Sequence, residues 1–309
     1  MNRAALSGAR IAASCAAVAA ALMAWPCPGE ATVLVVTSDE LSQYETSIDA
    51  FESALDRPTL RVNVGEDAER TLRAAADGHR IDALFALGGQ ATHLGRQVFP
   101  DAPMVFAMVL DWNRYEFSEQ TAGVALEMPV DVLFTRFKLL LPDLERVGVI
   151  YGEKTSAESL EAARAAARAL GLDLVEEDVR YADEVPGAYR RMRTEVDALW
   201  MFPDPIVVTR DNFRYLRDHT RKDGIAFLAF SENFVRAGAL LSIAPSYATM
   251  GSQAAVLLER LRTGAAIGRR VQAPLGSTVT VNAATARRVG LELEPALLVA
   301  ADRLVDARD

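Results

Sequence analysis

The sequence has few of the residues that metal centres and thiol catalysis require. Cysteine occurs only at Cys15 and Cys27 in 309 residues. Both lie in an apolar leader that we expect to be removed, so the mature chain would hold no disulfide, thiol nucleophile or cysteine metal ligand. The three histidines, His79, His93 and His219, stand far apart and lack the i+3 or i+4 neighbours of a zinc site. We therefore expect no metal and no cofactor.

Basic clusters, long apolar runs and nucleotide-binding motifs are also missing. The net charge of -9 argues against nucleic acid as a partner, because binding to phosphates needs clustered Lys and Arg. Beyond the leader, no stretch is long and apolar enough to span a bilayer. The chain has neither a Gly-x-Ser-x-Gly elbow nor a Gly-Lys-Ser/Thr phosphate loop. These absences weigh against a nucleic-acid-binding protein, a serine hydrolase of the elbow type and a phosphate-loop enzyme.

The N-terminus has the pattern of an export signal. Arg3 and Arg10 precede an Ala-rich apolar stretch, Ile11–Met23, which is too short to cross a bilayer comfortably. Gly29 and Ala31 place small residues where a signal peptidase reads the chain. We expect cleavage after Ala31 and a periplasmic mature protein.

Two alternatives to a cleaved signal peptide over residues 1–31 remain open. The leader could stay attached as an uncleaved anchor. Lipid attachment at Cys27 is disfavoured, because Pro26 stands where a lipobox requires a small residue.

Strand-like and helix-like segments alternate through most of the mature chain. Short β-branched runs such as Thr32–Thr37 and Ile81–Leu87 predict buried parallel strands, and helical patterns follow them. The alternation restarts at Arg146–Tyr151 and continues to Ile225–Phe230. Such repeats predict an α/β fold with two doubly wound parallel-sheet lobes joined by crossover segments.

The C-terminal part of the chain has too few elements for a third lobe. We expect the predicted helix Tyr247–Thr263 and its neighbouring strands to cross back and complete both lobes. The predicted N-terminal lobe comprises residues 32–122 plus 247–275. The predicted C-terminal lobe comprises residues 123–246 plus 276–309.

Ligands of open parallel sheets lie beyond the C-terminal ends of the strands, so the candidate binding residues follow the predicted strands. In the first lobe and the returning tail these residues are Ser38, Tyr44, Gly89, Gln90, Ala91, Asp111, Trp112 and Tyr247. In the second lobe they are Thr155, Ser156, Asp204 and Glu232.

Each candidate side chain or loop has a chemical reason to bind a ligand, and each also has an alternative structural role. The glycines at 88 and 89 let the backbone approach a ligand, and the amides of the following helix favour a carboxylate, although an ordinary strand-to-helix turn would look the same. One hydroxyl of Thr155 and Ser156 would cap a helix, and the other could face the cleft. Trp112 could stack on an apolar ligand or be a half-buried hinge residue.

Two carboxylates are candidate partners for an amine. Asp204 lies between two prolines, which fix the shape of its loop. Glu232 follows the strand that ends at Phe230. The alternatives are a turn or cap aspartate at Asp204 and a solvated loop carboxylate at Glu232.

Three segments together carry a resemblance to a known family. They are Leu141–Tyr151, Ser231–Leu240 and Val281–Ala286 followed by Gly290. With the order of the elements between them, the chain from Thr32 to Leu298 resembles the tryptophan/tyrosine-type substrate-binding proteins of ABC transporters, which have the type I periplasmic binding fold.

The resemblance implies capture of a small-molecule ligand between two lobes that hinge shut. The closed form would be recognised by an ABC permease, and closure would be a population shift driven by tighter contacts in the closed state. Residues 89–91 would hold an amino-acid carboxylate, Thr155 and Ser156 would face them, and Asp204 would lie near the amine. We expect a monomer.

The chain departs from the family at three walls of the implied pocket, so the resemblance does not fix the ligand. Gln90 replaces a common Thr, Pro203–Pro205 replaces a Thr- or Asn-bearing turn, and Ala244–Tyr247 replaces a Gly-x-Asp/Asn-Tyr stretch. Besides solute capture for an importer, a periplasmic sensor that signals to a membrane receptor or kinase remains an alternative. A secreted enzyme is disfavoured by the lack of a catalytic motif.

Overall fold

The computed structural model describes residues 31–65, 67–110, 112–291 and 299–306. The predicted signal peptide, apart from Ala31, lies outside the described residues. Two β-sheets with helices packed on their faces make up the described chain. The predicted α/β class with two parallel-dominated sheets is confirmed.

The first sheet has six strands within the described ranges, and all its strand pairs are parallel. Its strands are β1 (Ala31–Thr37), β2 (Thr59–Asn63), β3 (Arg80–Leu87), β4 (Met104–Ala107), β5 (Thr121–Val124) and β11 (Val271–Gln272). They are arranged in the order β11-β5-β4-β3-β1-β2. Residues Val33 to Val36 of β1 are completely buried, because neighbouring strands and helices on both faces enclose them.

Four helices pack on the first sheet in the described part of the chain. They are α1 (Ser42–Ala54), α2 (Ala68–Ala76), α3 (Gly89–Val98) and α9 (Tyr247–Thr263). Helix α9 packs closely against α1 at Gly251, where a Cβ atom would lie 2.0 Å from the carbonyl oxygen of Ser47. The missing side chain at Gly251 therefore allows the two backbones to approach each other.

The second sheet has seven strands among the described residues. They are β6 (Arg146–Gly152), β7 (Asp173–Val179), β8 (Ala198–Trp200), β9 (Ala226–Ala229), β10 (Leu241–Pro245), β12 (Ser277–Asn282) and β13 (Arg303–Val305). Their order is β13-β12-β10-β9-β8-β6-β7, and only the described pair β10–β12 is antiparallel.

The helices of the second sheet bury an aromatic core. They are α4 (Val130–Leu140), α5 (Glu153–Leu170), α6 (Val185–Met192), α7 (Arg210–Asp223), α8 (Glu232–Arg236) and α10 (Ala283–Arg288). Phe134 of α4 meets Trp200 of β8 edge to face, with ring centroids 5.0 Å apart. In the described ranges, no helix has the length and apolarity needed to cross a membrane.

The chain passes between the two sheets three times, after β5, after β10 and after β11. Hydrogen bonds tie these crossovers together. The amide of Ala125 donates to the carbonyl of Gln272 at 2.9 Å, and the amide of Ser246 donates to the carbonyl of Gly276 at 3.0 Å. The three crossover segments therefore lie side by side and are bonded to one another.

The first crossover begins later than the predicted lobe boundary. Gly123 and Val124 pair with Phe106 and Ala107 in the first sheet, whereas the sequence analysis placed them in the second lobe. The short strand β5 lacks the apolar run that would have marked it as part of the first sheet.

Candidate functional site

The start of α3 presents backbone donors at the C-terminal edge of the first sheet. Gly88, between β3 and α3, has a φ of 88° and no side chain to cap the helix. Among the described residues, no hydrogen-bond acceptor is found for the amides of Gly89 and Gln90. The first amides of a helix have no partner inside the helix and attract anions.

The third amide of α3 is already used, which corrects the prediction that Gly89, Gln90 and Ala91 all hold a ligand. The Ala91 amide donates to the Ser38 hydroxyl oxygen at 2.8 Å. Ser38 follows β1, the neighbour of β3, so its side chain reaches across from the adjacent strand end. Ser38 therefore supports the start of α3, and Gly89 and Gln90 keep the available amides.

Tyr44 completes this group from the first turn of α1. A Cβ atom at Gly88 would lie 2.5 Å from the Tyr44 hydroxyl and 2.7 Å from the Ser38 hydroxyl, so only glycine fits there. Tyr44 is 7% exposed, and its hydroxyl has no hydrogen-bond partner in the described chain. Burial raises the pKa of this hydroxyl and the nearby Asp39 carboxylate raises it further, so the group stays a neutral donor at pH 7.

Sequence reasoning missed Tyr115, which borders the same helix start. A Cβ atom at Gly89 would lie 2.8 Å from the Tyr115 hydroxyl. Tyr115 stacks on Phe117 with centroids 6.0 Å apart, and Phe117 stacks on Phe106 with centroids 4.5 Å apart. A row of three aromatic rings thus leads from the sheet to the glycines. The only sequence signal was an aromatic residue shortly after a strand end.

The backbone is strained next to this site. Met108, directly after β4, has a φ of 56°, the one positive φ of a non-glycine residue in the described ranges. Its neighbour Ala107 accepts a hydrogen bond from the Gly88 amide at 3.0 Å. Left-handed backbone at a bulky residue is costly and is often found at binding sites.

Of the next two predicted residues, only Trp112 can be placed. Asp111 lies outside the described residues. Trp112 is half-buried and lines a groove of about 1120 Å³ together with Phe117 and the Ala162 to Ala169 face of α5. The indole is therefore part of an apolar groove between the sheets.

In the second lobe, Asp204 is a structural carboxylate. It is 0% exposed. One carboxylate oxygen accepts the Gly152 amide at 3.1 Å, and the other accepts the amides of Ile206 at 2.8 Å and Val207 at 3.3 Å. The proline-flanked loop therefore folds around Asp204 as a turn, the alternative interpretation of the sequence.

Glu232 forms ion pairs with two arginines. One carboxylate oxygen accepts hydrogen bonds from Arg236 at 2.8 and 2.5 Å, and the other accepts one from Arg303 of β13. Burial of Glu232 would raise its pKa, but the hydrogen bonds from both arginines outweigh that effect and lower the pKa. Glu232 is neither free for an amine nor simply solvated, because a remote strand supplies a cation that the local sequence does not reveal.

Glu232 and Tyr247 meet in a polar cavity of about 370 Å³ between the lobes. Its lining residues are Ser42, Gln43, Thr46, Ser231, Glu232, Asn233, Ala244, Pro245, Tyr247, Thr278, Thr280 and Arg303. Burial and the Glu232 carboxylate raise the pKa of Tyr247, against a smaller opposing effect of Arg303. The cavity combines the first turn of α1 with strand ends of the second sheet.

Thr155 and Ser156 belong to the first turn of α5, because that helix begins at Glu153 and has Gly152 as its N-cap. Gly152, rather than Thr155 or Ser156, is therefore the N-cap residue of α5, and a role for either hydroxyl in the cleft stays a prediction. The side chains of residues 153–159 lie outside the described part of the structure.

A separate cavity of about 420 Å³ lies at the opposite edge of the second sheet. Leu141, Ala226 and Leu241, which precede or begin strands, contribute to its wall. None of the predicted binding residues lines it. Because ligands of parallel sheets bind at the C-terminal strand ends, the cleft edge is the better candidate site.

The predicted residues whose side chains are described thus form two groups and two isolated side chains, Asp204 and, in the apolar groove, Trp112. Ser38, Tyr44, Gly89, Gln90 and Ala91 come together at the start of α3. Glu232 and Tyr247 share the polar cavity between the lobes. Asp204 is buried among backbone amides.

The sequence from residue 70 to residue 305 matches the model of a protein family described as "ABC transporter substrate binding protein". A comparison with curated proteins gave no match.

Solved structures share the fold over most of the chain. The ligand-free, open structure of CD0873, a substrate binding protein with adhesive properties from Clostridium difficile, is 17% identical with a TM-score of 0.72, covering 89% of this chain and 99% of that one. The ABC domain in complex with L-Trp from Streptococcus pneumonia is 17% identical with a TM-score of 0.54, covering 88% and 100%. A periplasmic ribose ABC transporter from Conexibacter woesei is 16% identical with a TM-score of 0.53, covering 85% and 96%.

Proposed function

The chain belongs to the family of ABC transporter substrate-binding proteins, and on that premise we propose that it is the periplasmic solute-binding component of an ABC importer. It captures one small molecule with a carboxylate group, of the size of an amino acid, between two lobes of the type I periplasmic binding fold. It delivers this ligand to a membrane permease as a monomer and performs no chemistry on it.

The arrangement at the start of α3 is the observation that carries this proposal. The available amides of Gly89 and Gln90 and the hydroxyl of Tyr44 form a cluster of donors at the C-terminal edge of the first sheet. Such a cluster matches a carboxylate, which accepts several hydrogen bonds at once. One solved structure of this fold holds L-Trp, which supports the use of carboxylate-bearing compounds as probes.

Lobe closure about the three crossovers supplies the second half of the site. Gln253 of α9, 5% exposed, holds the third crossover through its Nε2, which donates to the Ala273 carbonyl at 3.0 Å, and its Oε1, which accepts the Leu275 amide at 3.2 Å. This clamp keeps the hinge segments together while the lobes rotate. A ligand favours the closed state only as far as it gains contacts there.

Mass spectrometry of small molecules released from the purified, denatured protein tests the proposal directly. We expect one carboxylate-bearing compound that rebinds and raises the free energy of unfolding by roughly 2.7 kcal/mol at a hundred times its dissociation constant. Tyr44→Phe should weaken rebinding. The control Tyr215→Phe, which removes a hydroxyl near Arg190 and Pro186 on the outside of the second lobe, should not.

Uptake of the identified compound by cells with and without the gene tests the importer role. We expect uptake to fall in the deleted strain and to return with the intact gene. Unchanged uptake together with intact binding would contradict transport and leave ligand sensing as the function.

A further inference from the structure

The polar groups of the cleft differ in whether they can accept a cation. An ammonium group enclosed between two lobes loses its hydration and needs a carboxylate or several carbonyl oxygens as partners. In the second lobe, Asp204 and Glu232 are the predicted binding residues that carry a carboxylate, the group that could recognise an α-ammonium group. Their present partners therefore constrain the chemistry of the ligand.

Asp204 has no capacity for an ammonium group. Its carboxylate is 0% exposed, and its two oxygens accept the amides of Gly152, Ile206 and Val207. A ligand could reach it only if the turn from residue 204 to residue 208 opened and those amides lost their acceptor. The loss of several hydrogen bonds to a buried charge would offset the gain of one ion pair.

The single negative charge of Glu232 is outweighed by the two positive charges of its arginine partners. Arg236 and Arg303 both donate to it, so the group of three side chains has a net charge of about +1 at pH 7. An ammonium group placed beside this carboxylate would also meet two guanidinium groups. The polar cavity lined by Glu232 and Arg303 therefore disfavours a second cation.

The first lobe contributes donors. The amides of Gly89 and Gln90 lack acceptors among the described residues, and the Tyr44 hydroxyl, in a side chain that is 7% exposed, is aimed at the same glycines and lacks a partner there too. The hydroxyl of Tyr115 lies beside them. A single carboxylate would satisfy these donors, whereas an ammonium group would leave them unpaired.

From this asymmetry we infer, on the basis of the proposed function, that the ligand is an organic carboxylic acid recognised without an α-ammonium group. The carboxylate binds the amides of Gly89 and Gln90 and the hydroxyl of Tyr44, and the rest of the molecule lies against Tyr115. An α-amino acid of the same carbon skeleton binds more weakly, because neither Asp204 nor Glu232 is available to its desolvated ammonium group.

Matched ligand pairs test this inference by calorimetry on the mature protein. The pairs are L-tryptophan and indole-3-propionate, L-tyrosine and 3-(4-hydroxyphenyl)propionate, and L-leucine and 4-methylpentanoate. The amines tryptamine, tyramine and isopentylamine complete each series. We expect the acid of at least one series to bind at least about tenfold more tightly than its amino acid, and the amines not to bind.

Two variants link the preference to named groups. Tyr44→Phe should weaken the acid about five- to tenfold, since a hydrogen bond to a charged acceptor is lost. Asp39→Asn should leave the ratio between acid and amino acid unchanged. Asp39 is an exposed carboxylate whose charge acts on the Tyr44 hydroxyl, so a large change in that ratio would show that it binds an ammonium group and would overturn the inference.

The outcomes separate this inference from the proposed function. Tighter binding of an amino acid than of its acid would overturn the inference and leave solute binding intact. A released compound that carries an ammonium group required for binding would do the same. If no carboxylate binds and none is released, both the inference and the proposed carboxylate capture fail.

Discussion

The cleft faces of the two lobes use the same construction with opposite results. In the first lobe, β3 ends at Leu87 and α3 follows after Gly88, and the side chain of Ser38 from the neighbouring strand end accepts one amide of that helix. In the second lobe, β6 ends at Gly152 and α5 follows, and the side chain of Asp204 from the neighbouring strand end accepts an amide there. A neutral hydroxyl leaves the first helix start electropositive, whereas a buried carboxylate neutralises the second.

This difference shows that the type of a residue at a strand end does not determine its role. Asp204 and Glu232 have the chemistry of cation-binding groups, yet local donors and the remote residues Gly152 and Arg303 already use it. Glycine at position 88 has no chemistry of its own, yet its shape exposes the donors of Gly89 and Gln90. Four substitutions would break or sharpen this comparison.

The largest expected effect is the loss of stability in Asp204→Ala. Three backbone amides would lose a charged acceptor in a site without solvent, so we expect the free energy of unfolding to fall by roughly 3 to 5 kcal/mol. Urea unfolding measures this, with the exposed Asp183→Ala as the control. A stable Asp204→Ala protein that no longer binds its ligand would contradict this role, because it would show that Asp204 binds the ligand rather than stabilises the fold.

Gly88→Ala should abolish ligand binding and lower stability by roughly 1 to 3 kcal/mol, because the positive φ and the contact with Tyr44 and Ser38 are both unfavourable. Gly78→Ala is a matched control, since Gly78 has a φ of 84° and nothing within 4 Å of the added Cβ. The difference between the two variants isolates the contact. Equal stability and normal binding in both would refute the packing described at Gly88.

Ser38→Ala should cost about 1 kcal/mol, the usual effect of removing a side-chain acceptor at a helix start. Thermal unfolding measures this change, and calorimetry should show weaker binding because the start of α3 is less well fixed. Ser53→Ala, which removes an exposed hydroxyl from α1, serves as the comparison. An effect on binding with no effect on stability would show that Ser38 contacts the ligand directly.

The smallest effect concerns Glu232. Burial alone would raise the pKa of this carboxylate, but the hydrogen bonds from Arg236 and Arg303 have the larger effect and lower it in the folded state. A carboxylate with a lowered pKa stabilises the folded state above its unfolded pKa of about 4.3, and that contribution is lost as the pH falls through the folded pKa. Glu232→Gln should therefore be less stable than the parent by less than about 1 kcal/mol at pH 7. The difference should vanish as the pH falls through the lowered folded-state pKa of Glu232; a constant difference would contradict the ion pairs.

Most of the fold could be predicted because apolar runs and helical periodicity are local. The helix Tyr247–Thr263 was predicted with its observed bounds, and the strand at Ile81–Leu87 was predicted within one residue. The strands β5, β11 and β13 could not be found, because they have four, two and three residues and acquire their strand character from partners remote in the chain. The sequence contains no apolar run that would mark them.

The sequence could predict that the candidate residues follow strands, but it could not predict which of their hydrogen-bonding groups already have partners. Strand-end rules located Ser38 and Gly89 as neighbours, but the bond from Ala91 to Ser38 joins residues 53 apart in the sequence. The bond from Gly152 to Asp204 spans 52 residues. Whether a donor or acceptor is already used depends on such contacts, and composition does not encode them.

The position of β11 at the edge of the first sheet has a consequence for synthesis on the ribosome. The first lobe needs α9 and β11, and these emerge only after most of the second lobe has been made. The nascent N-terminal half must therefore wait with an open strand edge at β5, while the inserted second half can start to collapse. No single cut of the polypeptide releases either lobe whole, because each sheet takes strands from two separate stretches of the chain.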